Sequence, residues 1–156
     1  MHDATYWIKK LKLQKHPEGG WYREVYRSTQ VVNTAGGLRP ASTSIYYLLA
    51  GDDFSAFHRI RSDETWHYYT GTSAIEVLWI DRGELRTFRL GNGSDEDFQQ
   101  VVPKNHWFAA RLTDPKGFAL AGCTVAPGFD FQDFELADYR FLAEFPELEK
   151  LVKDLP

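Results

Sequence analysis

Short strand-like runs separated by turn signals fill the middle of this chain, and they constrain its fold more than any other feature. The predicted strands are 42–49, 54–59, 64–70, 75–80, 85–90, 99–102, 107–112 and 118–125. Regular short strands with polar turns between them are typical of a sandwich or barrel. Abundant Phe, Tyr and Trp residues favour strands and bury large areas, which fits a β-rich core with an aromatic-lined cavity.

Helical patterns flank this β region at both ends. Residues 3–13 place apolar side chains at helical spacing, and His16-Pro-Glu-Gly-Gly20 ends that helix because proline stops it. Helical spacing returns from about Leu136, where Pro146 suits the first turn of a last helix. We identify no linker or repeat, so the sequence predicts a single domain over residues 1–156 with short terminal helices.

Bulk composition excludes several classes of function. The net charge of −4 gives no basic footprint for nucleic acid. No apolar stretch reaches the roughly 20 residues that span a bilayer, and no signal peptide is visible at the N-terminus. The single Cys123 cannot form an internal disulfide and is expected to be an inert core thiol. We therefore expect a cytoplasmic protein without nucleic-acid or membrane partners.

The segment between Gly51 and Gly71 carries the strongest chemical signal. Alternate residues of a strand face the same way, so His58 and Ile60 share one face, and Glu64, Trp66 and Tyr68 share one face of the next strand. If that face is the barrel interior, a histidine and a carboxylate converge there between aromatic walls, with Trp66 and Tyr68 as candidate ligand contacts.

A buried pair of His58 and Glu64 would hold the imidazole in one tautomer or in its charged form, and would serve as an acid/base unit. The alternative is a core histidine that merely hydrogen-bonds to Glu64. A divalent metal usually needs three or more convergent ligands, of which two can be named here. His106 shares strand parity with Phe108 and is the candidate for a third ligand, or else lies in solvent at the rim.

Three further residues are candidates for ligand contact. Arg23 and Arg39 are suited to clamp an anionic substrate, because a guanidinium binds carboxylate or phosphate through two hydrogen bonds. Arg23 serves equally well as a contact between subunits. Tyr46 and Tyr47 lie on opposite faces of their strand, so one of them should line the pocket, and we select Tyr46 as the ligand contact.

The central segment resembles the first motif of the cupins, which are double-stranded β-helix (jelly-roll) proteins. That motif matches at Gly51, His58, Glu64 and Gly71, with Ile60 where a second histidine ligand is usual. The second cupin motif resembles Pro103-Lys-Asn105-His106-Trp107-Phe108. There Asn105 replaces a turn glycine, and Phe108 stands at the position of an inward ligand. The resemblance therefore implies a cupin barrel in which two of four usual metal ligands are missing.

A closer resemblance, to the cupin_5 (DUF985) family, covers nearly the whole chain. Its motifs are the runs 16–24, 44–46, 57–59, 62–64, 66–67 and 122–131, in the family's order. This resemblance implies a jelly-roll homodimer, with Phe108 in the pocket wall, related in fold to sugar-nucleotide epimerases. Those enzymes abstract a proton beside a ketone with a pocket histidine and need no metal.

Three hypotheses follow for the function. The first is a metal-independent epimerase or isomerase with His58 as base, Glu64 as its orienting partner and a pocket tyrosine as acid. The second is a non-catalytic module that binds a nucleotide- or sugar-like molecule. The third is a metal-dependent hydrolase or oxygenase that uses His58, Glu64 and His106. No cofactor is expected under the first two hypotheses, and a small molecule is the expected ligand in all three.

Overall fold

The predicted β core forms within residues 1–152, the part of the chain that this computed structural model describes. The helices are α1 (Ala4–Lys10) and α2 (Tyr139–Glu144), with 3₁₀ turns at Phe131–Asp133 and Pro146–Leu151. The strands are β1 (Gln14–Lys15), β2 (Trp21–Arg27), β3 (Val31–Thr34), β4 (Gly37–Pro40), β5 (Thr43–Ala50), β6 (Phe54–Arg59), β7 (Asp63–Gly71), β8 (Ile75–Asp81), β9 (Glu84–Leu90), β10 (Gln99–Val102), β11 (Phe108–Leu112), β12 (Phe118–Ala126) and β13 (Glu135–Leu136). The last four residues of the predicted domain lie outside the described residues.

Two antiparallel sheets hold the core between them. One has the strand order β1-β2-β5-β12-β7-β10 and the other β13-β6-β11-β8-β9. Tyr47 and Trp66 from the first sheet pack in one buried cluster with Val77 and Phe108 from the second. The sequence predicts only turns between β2 and β5, whereas the structure adds the small hairpin β3–β4 there. The predicted all-β fold is confirmed.

The terminal segments cover the outer faces of the two sheets. Helix α1 is capped by Asp3 and ends earlier than predicted, because Lys12 adopts a positive φ of 56°. Its apolar stripe packs near Leu48 on the six-stranded sheet, while α2 and the second 3₁₀ turn pack against Phe57 on the other sheet. The predicted last helix is therefore a 3₁₀ turn. Among residues 1–152, no helix combines the length and the apolar character needed to cross a membrane.

The loop between β1 and β2, residues 16–20, packs against one end of the barrel. The Ala56 N–H donates to the Glu18 carbonyl oxygen at 2.9 Å, so the loop is tied to β6. Gly19 and Gly20 adopt φ values of 110° and 77°, which favour glycine. A side chain at Gly19 would overlap the Phe54 carbonyl oxygen. The two glycines thus let the loop approach closely enough for Glu18 to enter the barrel.

Strand β2 leaves part of its surface uncovered. Val25 and Tyr26 are 46% and 54% exposed, although both are strongly favoured in strands. Such a surface is compatible with a partner subunit. The homodimer stays a prediction.

Candidate functional site

A cavity of about 300 Å³ lies beside His58, at the lower end of the size range of small-molecule sites. Its ionisable lining residues are His16, Glu18, Glu24, Arg27, His58, Glu64, Cys123 and Asp130. Aromatic and aliphatic side chains supply most of the remaining wall, namely Tyr22, Ile45, Ile60, Val125, Phe129, Phe131 and Phe134. The cavity therefore combines several proton-transfer groups with a wall that disfavours water.

His58 lies on β6, faces the interior as its strand parity predicts, and is 3% exposed. Its Nδ1 lies 2.8 Å from Glu18 Oε2 and 2.7 Å from the Ala56 carbonyl oxygen. Because both neighbours of Nδ1 accept hydrogen bonds, this nitrogen carries a proton. The ring also packs on Phe108, with 4.1 Å between ring centroids. The contacts fix both the orientation of the imidazole and the position of its proton.

The carboxylate that contacts His58 is Glu18, which corrects the predicted pairing of His58 with Glu64. Strand parity brings Glu64 to the same cavity, where its charge raises the pKa of His58, but Glu18 supplies the direct contact. Glu18 is held by the Ser55 hydroxyl, which donates to Glu18 Oε2 at 2.7 Å. A loop residue thus takes the role that the sequence predicts for a strand residue.

The Glu18–His58 contact shifts the pKa of both groups in favour of an ion pair. Burial alone would raise the pKa of Glu18, but the His58 charge and hydrogen bond lower it to about 2. Burial alone would lower the pKa of His58, but the Glu18 charge and hydrogen bond raise it above its ordinary value. Both shifts therefore favour the form of the pair in which an imidazolium faces a carboxylate.

Glu64 lies on β7, is 8% exposed, and has the opposite shift. Burial and the nearby negative charge of Glu18 raise the pKa of Glu64 to about 7, although the His58 charge opposes this. The Cys123 thiol acts on the same carboxyl group through a hydrogen bond, and burial raises the pKa of Cys123 well above its ordinary value. Cys123 is therefore a neutral thiol, and Glu64 exchanges its proton near neutral pH.

Glu18 is not predicted from the sequence as a site residue, and neither are His16, Glu24, Arg27 and Asp130, which line the same cavity. The run His16-Pro-Glu-Gly-Gly20 predicts a helix stop and belongs to a motif of the family that the chain resembles, but neither interpretation assigns a role to Glu18. A further signal is present, because an acidic side chain followed by two glycines marks a loop that can approach another part of the backbone closely. Tyr47 also holds this loop, since its hydroxyl donates to the Gly19 carbonyl oxygen.

The two arginines predicted to contact a ligand lie outside this cavity. Arg23 is exposed on β2, and its guanidinium donates to the Leu11 carbonyl oxygen at 3.3 Å. Arg39 is buried in a two-pronged ion pair with Asp133, in which both N–O distances are 2.9 Å. Its Nη1 and Nη2 groups also donate to the carbonyl oxygens of Leu38 and Gly36. The structure therefore brings neither guanidinium to His58.

The predicted aromatic contacts divide between the core and the outer surface. Tyr46 lies on the outer face of β5, with its ring 6.3 Å from that of Tyr69, whereas Tyr47 is the inward tyrosine. Trp66 and Tyr68 are buried inside the barrel as predicted, but both pack in the core beyond the cavity lining. The Tyr68 hydroxyl donates to the Ser73 carbonyl oxygen at 2.9 Å.

Two of the four usual ligand positions of a cupin metal centre hold apolar side chains. Ile60 lines the cavity, and Phe108 is 1% exposed and packs on His58. His106 lies at the rim instead of in the cavity, with its Nε2 3.7 Å from Asp81 and its Nδ1 2.8 Å from the Lys104 carbonyl oxygen. Within residues 1–152 no three His, Cys, Asp or Glu side chains are arranged to hold a metal ion. These donors do not fit a cupin metal centre.

The backbone conformation of Asn105 explains how asparagine can replace the turn glycine of the second cupin motif. Asn105 adopts a φ of 65°, a left-handed conformation in which asparagine is the commonest substitute for glycine. The turn before β11 therefore keeps its shape without the glycine.

The two-sheet barrel, with His58 and Glu64 facing an internal cavity, is a cupin-type jelly roll. The chain belongs to the Cupin_5 family of the cupin superfamily (DUF985), whose model matches residues 5–137. An uncharacterized protein of Saccharomyces cerevisiae is 32% identical over 164 residues, which cover 93% of this chain and 78% of the yeast protein. Its name assigns no activity.

Solved structures agree with this assignment. The crystal structure of a Shewanella oneidensis protein has a TM-score of 0.89 and 37% identity, covering 98% of this chain and 99% of that chain. A hypothetical protein from Leishmania major has a TM-score of 0.86 and 33% identity, covering 97% of each chain. A cupin 2 conserved barrel protein from Rhodopseudomonas palustris, with a TM-score of 0.56, 14% identity and coverage of 89% and 84%, shares the fold.

Proposed function

We propose that this cupin-fold protein binds a small metabolite in the His58 cavity and catalyses a metal-independent isomerisation or epimerisation. The observation that carries this proposal is the presence, in one largely apolar cavity, of two ionisable groups whose pKa values are shifted by their surroundings. These are Glu64, with a pKa of about 7, and His58, with a raised pKa. Two neighbouring groups with perturbed pKa values are typical of a proton-transfer site.

The charges assign roles that differ from those predicted from the sequence. Because Glu18 keeps His58 protonated, His58 is the acid and Glu64 is the base. The ionised fraction of Glu64 accepts a proton from a carbon beside a carbonyl group. His58 Nδ1 is occupied by Glu18 and Ala56, so Nε2–H donates to the carbonyl oxygen as negative charge develops there.

The reaction is balanced within these two groups. The C–H bond breaks, its proton passes to Glu64, and its electron pair forms the enolate that the imidazolium stabilises. For an isomerisation, His58 gives its proton to the carbonyl oxygen and recovers one from the adjacent hydroxyl, while Glu64 returns a proton to the former carbonyl carbon. For an epimerisation, the imidazolium delivers a proton to the opposite face of the original carbon, and both groups then re-equilibrate through solvent. Neither reaction needs a redox partner, and exchange of the Glu64 proton with solvent introduces deuterium into the compound. Apolar wall residues such as Ile60 and Val125 reduce competition from water, which strengthens these charge interactions.

Solvent exchange tests this proposal across several classes of carbonyl compound at once. The protein, in deuterium oxide with a chelator present, is incubated with a panel of ketoses, hydroxyketones, aminoketones and keto acids, and C–H loss is followed by NMR. We expect exchange for at least one compound, with a rate that rises as pH passes through about 7. Glu64→Gln should slow it by at least about 10²-fold, as removal of a general base does. Tyr46→Phe, on the outer face, is the matched control and should exchange normally.

Two results would contradict the proposal. If panel compounds bind in the cavity but none gains deuterium, the protein is a non-catalytic binding module. If exchange occurs only when chelator is omitted, the reaction depends on a metal.

A further inference from the structure

The charges that line the His58 cavity do not balance. Its carboxyl groups belong to Glu18, Glu24, Glu64 and Asp130, and its cationic side chains are Arg27 and His58. His16 acts on Glu18, because its Nδ1 accepts the Glu18 N–H at 3.1 Å and lies 3.5 Å from Glu18 Oε1. Even when His16 is counted with Arg27 and His58, the carboxyl groups of the lining outnumber the cationic side chains.

Each of the two cations already has a carboxylate partner. His58 Nδ1 lies 2.8 Å from Glu18 Oε2, and Arg27 Nη2 lies 2.7 Å from Glu24 Oε1 at the mouth. The Arg27 Nε also donates to Glu24, at 3.3 Å. An anionic ligand would have to displace one of these carboxylates and leave it without its partner.

Glu64 and Asp130 are the other two carboxyl groups of the lining, and Asp130 also interacts with the charge of Arg39. The Asp130 carboxylate accepts the Gln132 N–H at 2.8 Å, as the cap of the Phe131–Asp133 turn. The same segment contributes an aromatic wall. The ring centroids of Phe129 and Phe131 are 4.8 Å apart, and those of Phe131 and Phe134 are 5.8 Å apart. Carboxylates combined with aromatic rings are the chemistry that binds an organic cation.

We propose that the cavity selects small organic ammonium compounds over neutral ones and rejects phosphates and carboxylates. This inference rests on the proposed function and narrows its substrate to carbonyl compounds that carry a protonated amine, such as aminoketones. It departs from the sugar-nucleotide class that fold resemblance implies, because neither Arg23 nor Arg39 reaches the cavity to bind a diphosphate.

Proton linkage gives the inference a second readout. A cation beside Glu64 favours the ionised form of this carboxyl group, whose pKa without ligand is about 7. Binding should therefore release a proton at pH 6, and the affinity for an ammonium compound should increase between pH 6 and pH 8. A neutral ligand should show neither effect.

Three probes with the same aromatic ring but different charges show how much of the binding affinity depends on ligand charge and how much on ligand shape. Benzylammonium, benzyl alcohol and benzoate are titrated into ¹⁵N-labelled protein at pH 8, with dissociation constants taken from backbone chemical shifts. We expect benzylammonium to bind about tenfold more tightly than benzyl alcohol, as expected for one partly desolvated charge interaction. Benzoate should bind more weakly than benzyl alcohol.

Two variants show whether the named carboxylates cause this order. Glu64→Gln and Asp130→Asn should each reduce the preference for benzylammonium, and Glu64→Gln should also abolish its pH dependence. The affinity for benzyl alcohol reports whether the variant cavity is intact, and it should change by less than about twofold. The proposal is overturned if benzoate binds as tightly as benzylammonium, if none of the three binds, or if both variants keep the wild-type preference.

The outcomes separate this inference from the proposed function. An ammonium preference without deuterium exchange in any panel compound would leave the ligand class standing and remove the catalysis. Deuterium exchange confined to uncharged or anionic compounds would support the catalysis and contradict the ammonium ligand class.

Discussion

The two sides of the His58 cavity carry the same functional group in different chemical states. Glu18, on the loop side, and Glu64, on the strand side, are each 8% exposed. The pKa of Glu18 is nevertheless about 2, whereas that of Glu64 is about 7. Glu18 has direct contacts with the His58 imidazole and the Ser55 hydroxyl, whereas Glu64 is paired with the weak thiol donor of Cys123. Partners, and not the degree of burial, decide which carboxyl group is ionised.

The largest effect is expected from removing the loop carboxylate. Glu18→Gln leaves His58 without its counter-charge, and breaking a buried ion pair of this kind costs about 3–5 kcal/mol of unfolding free energy. Urea denaturation at pH 7 measures the loss. Glu24→Gln, in the exposed pair at the mouth, is the control and should cost less than about 1 kcal/mol. Equal losses in the two variants would show that Glu18 does not stabilise the site.

The second largest effect is expected at Glu64, whose contribution to the free energy of unfolding should depend on pH. The folded-state pKa of Glu64 is raised from 4.5 to about 7, so its contribution to stability is present below pH 4.5 and is lost as pH rises through 7. Glutamine does not titrate, so Glu64→Gln should not lose stability as pH rises through 7. The variant should gain about 3 kcal/mol relative to the wild type between pH 5 and pH 9, by the free energy of each pKa unit. Urea denaturation curves that stay parallel across this range would contradict the shift.

Glu18 should give the opposite pH dependence, which sharpens the comparison. Its folded-state pKa is lowered to about 2, so its contribution is present above pH 4.5 and is lost as pH falls through 2. The difference in unfolding free energy between wild type and Glu18→Gln should therefore shrink in acid. In the same range, the difference for Glu64→Gln should stay constant.

A smaller effect should follow from loosening the loop while keeping its charge. Tyr47→Phe removes the hydroxyl that donates to the Gly19 carbonyl oxygen, and it should cost about 1 kcal/mol. Tyr46→Phe removes a hydroxyl from the outer face of the same strand and provides a matched control. If thermal unfolding shifts equally in both variants, the Tyr47 hydroxyl does not anchor the loop.

The smallest expected effect concerns the amount of divalent metal bound to the purified protein. A divalent ion bound by His58 and Glu64 would lower the pKa of Glu64 and erase the difference between the two carboxyl groups. Elemental analysis of protein purified without chelator or a His-tag should find no stoichiometric Fe, Mn, Zn or Ni. About one ion per chain, lost in His58→Ala and Glu64→Ala, would contradict the metal-independent mechanism.

Local strand parity predicts the strand residues of this site, His58 and Glu64, but it cannot predict the loop residue Glu18. The positions of His58 and Glu64 follow from alternation along β6 and β7, because one face of each strand must be buried. Parity leaves open which face of an isolated strand is the inner one, and the structure has Tyr47 on the inner face and Tyr46 on the outer face. Glu18 lies 40 residues before His58 and meets it through the tertiary fold, a contact that no local spacing encodes.

The loop of residues 16–20 makes the chemistry of this barrel modular. The strands supply the histidine and one carboxyl group, while a short segment outside the main strand ladder sets the charge of that histidine. Exchange of this segment between related barrels would therefore change the charge of the histidine without altering a single strand. The protonation state of His58 thus depends on five residues, while the strands that hold it stay the same.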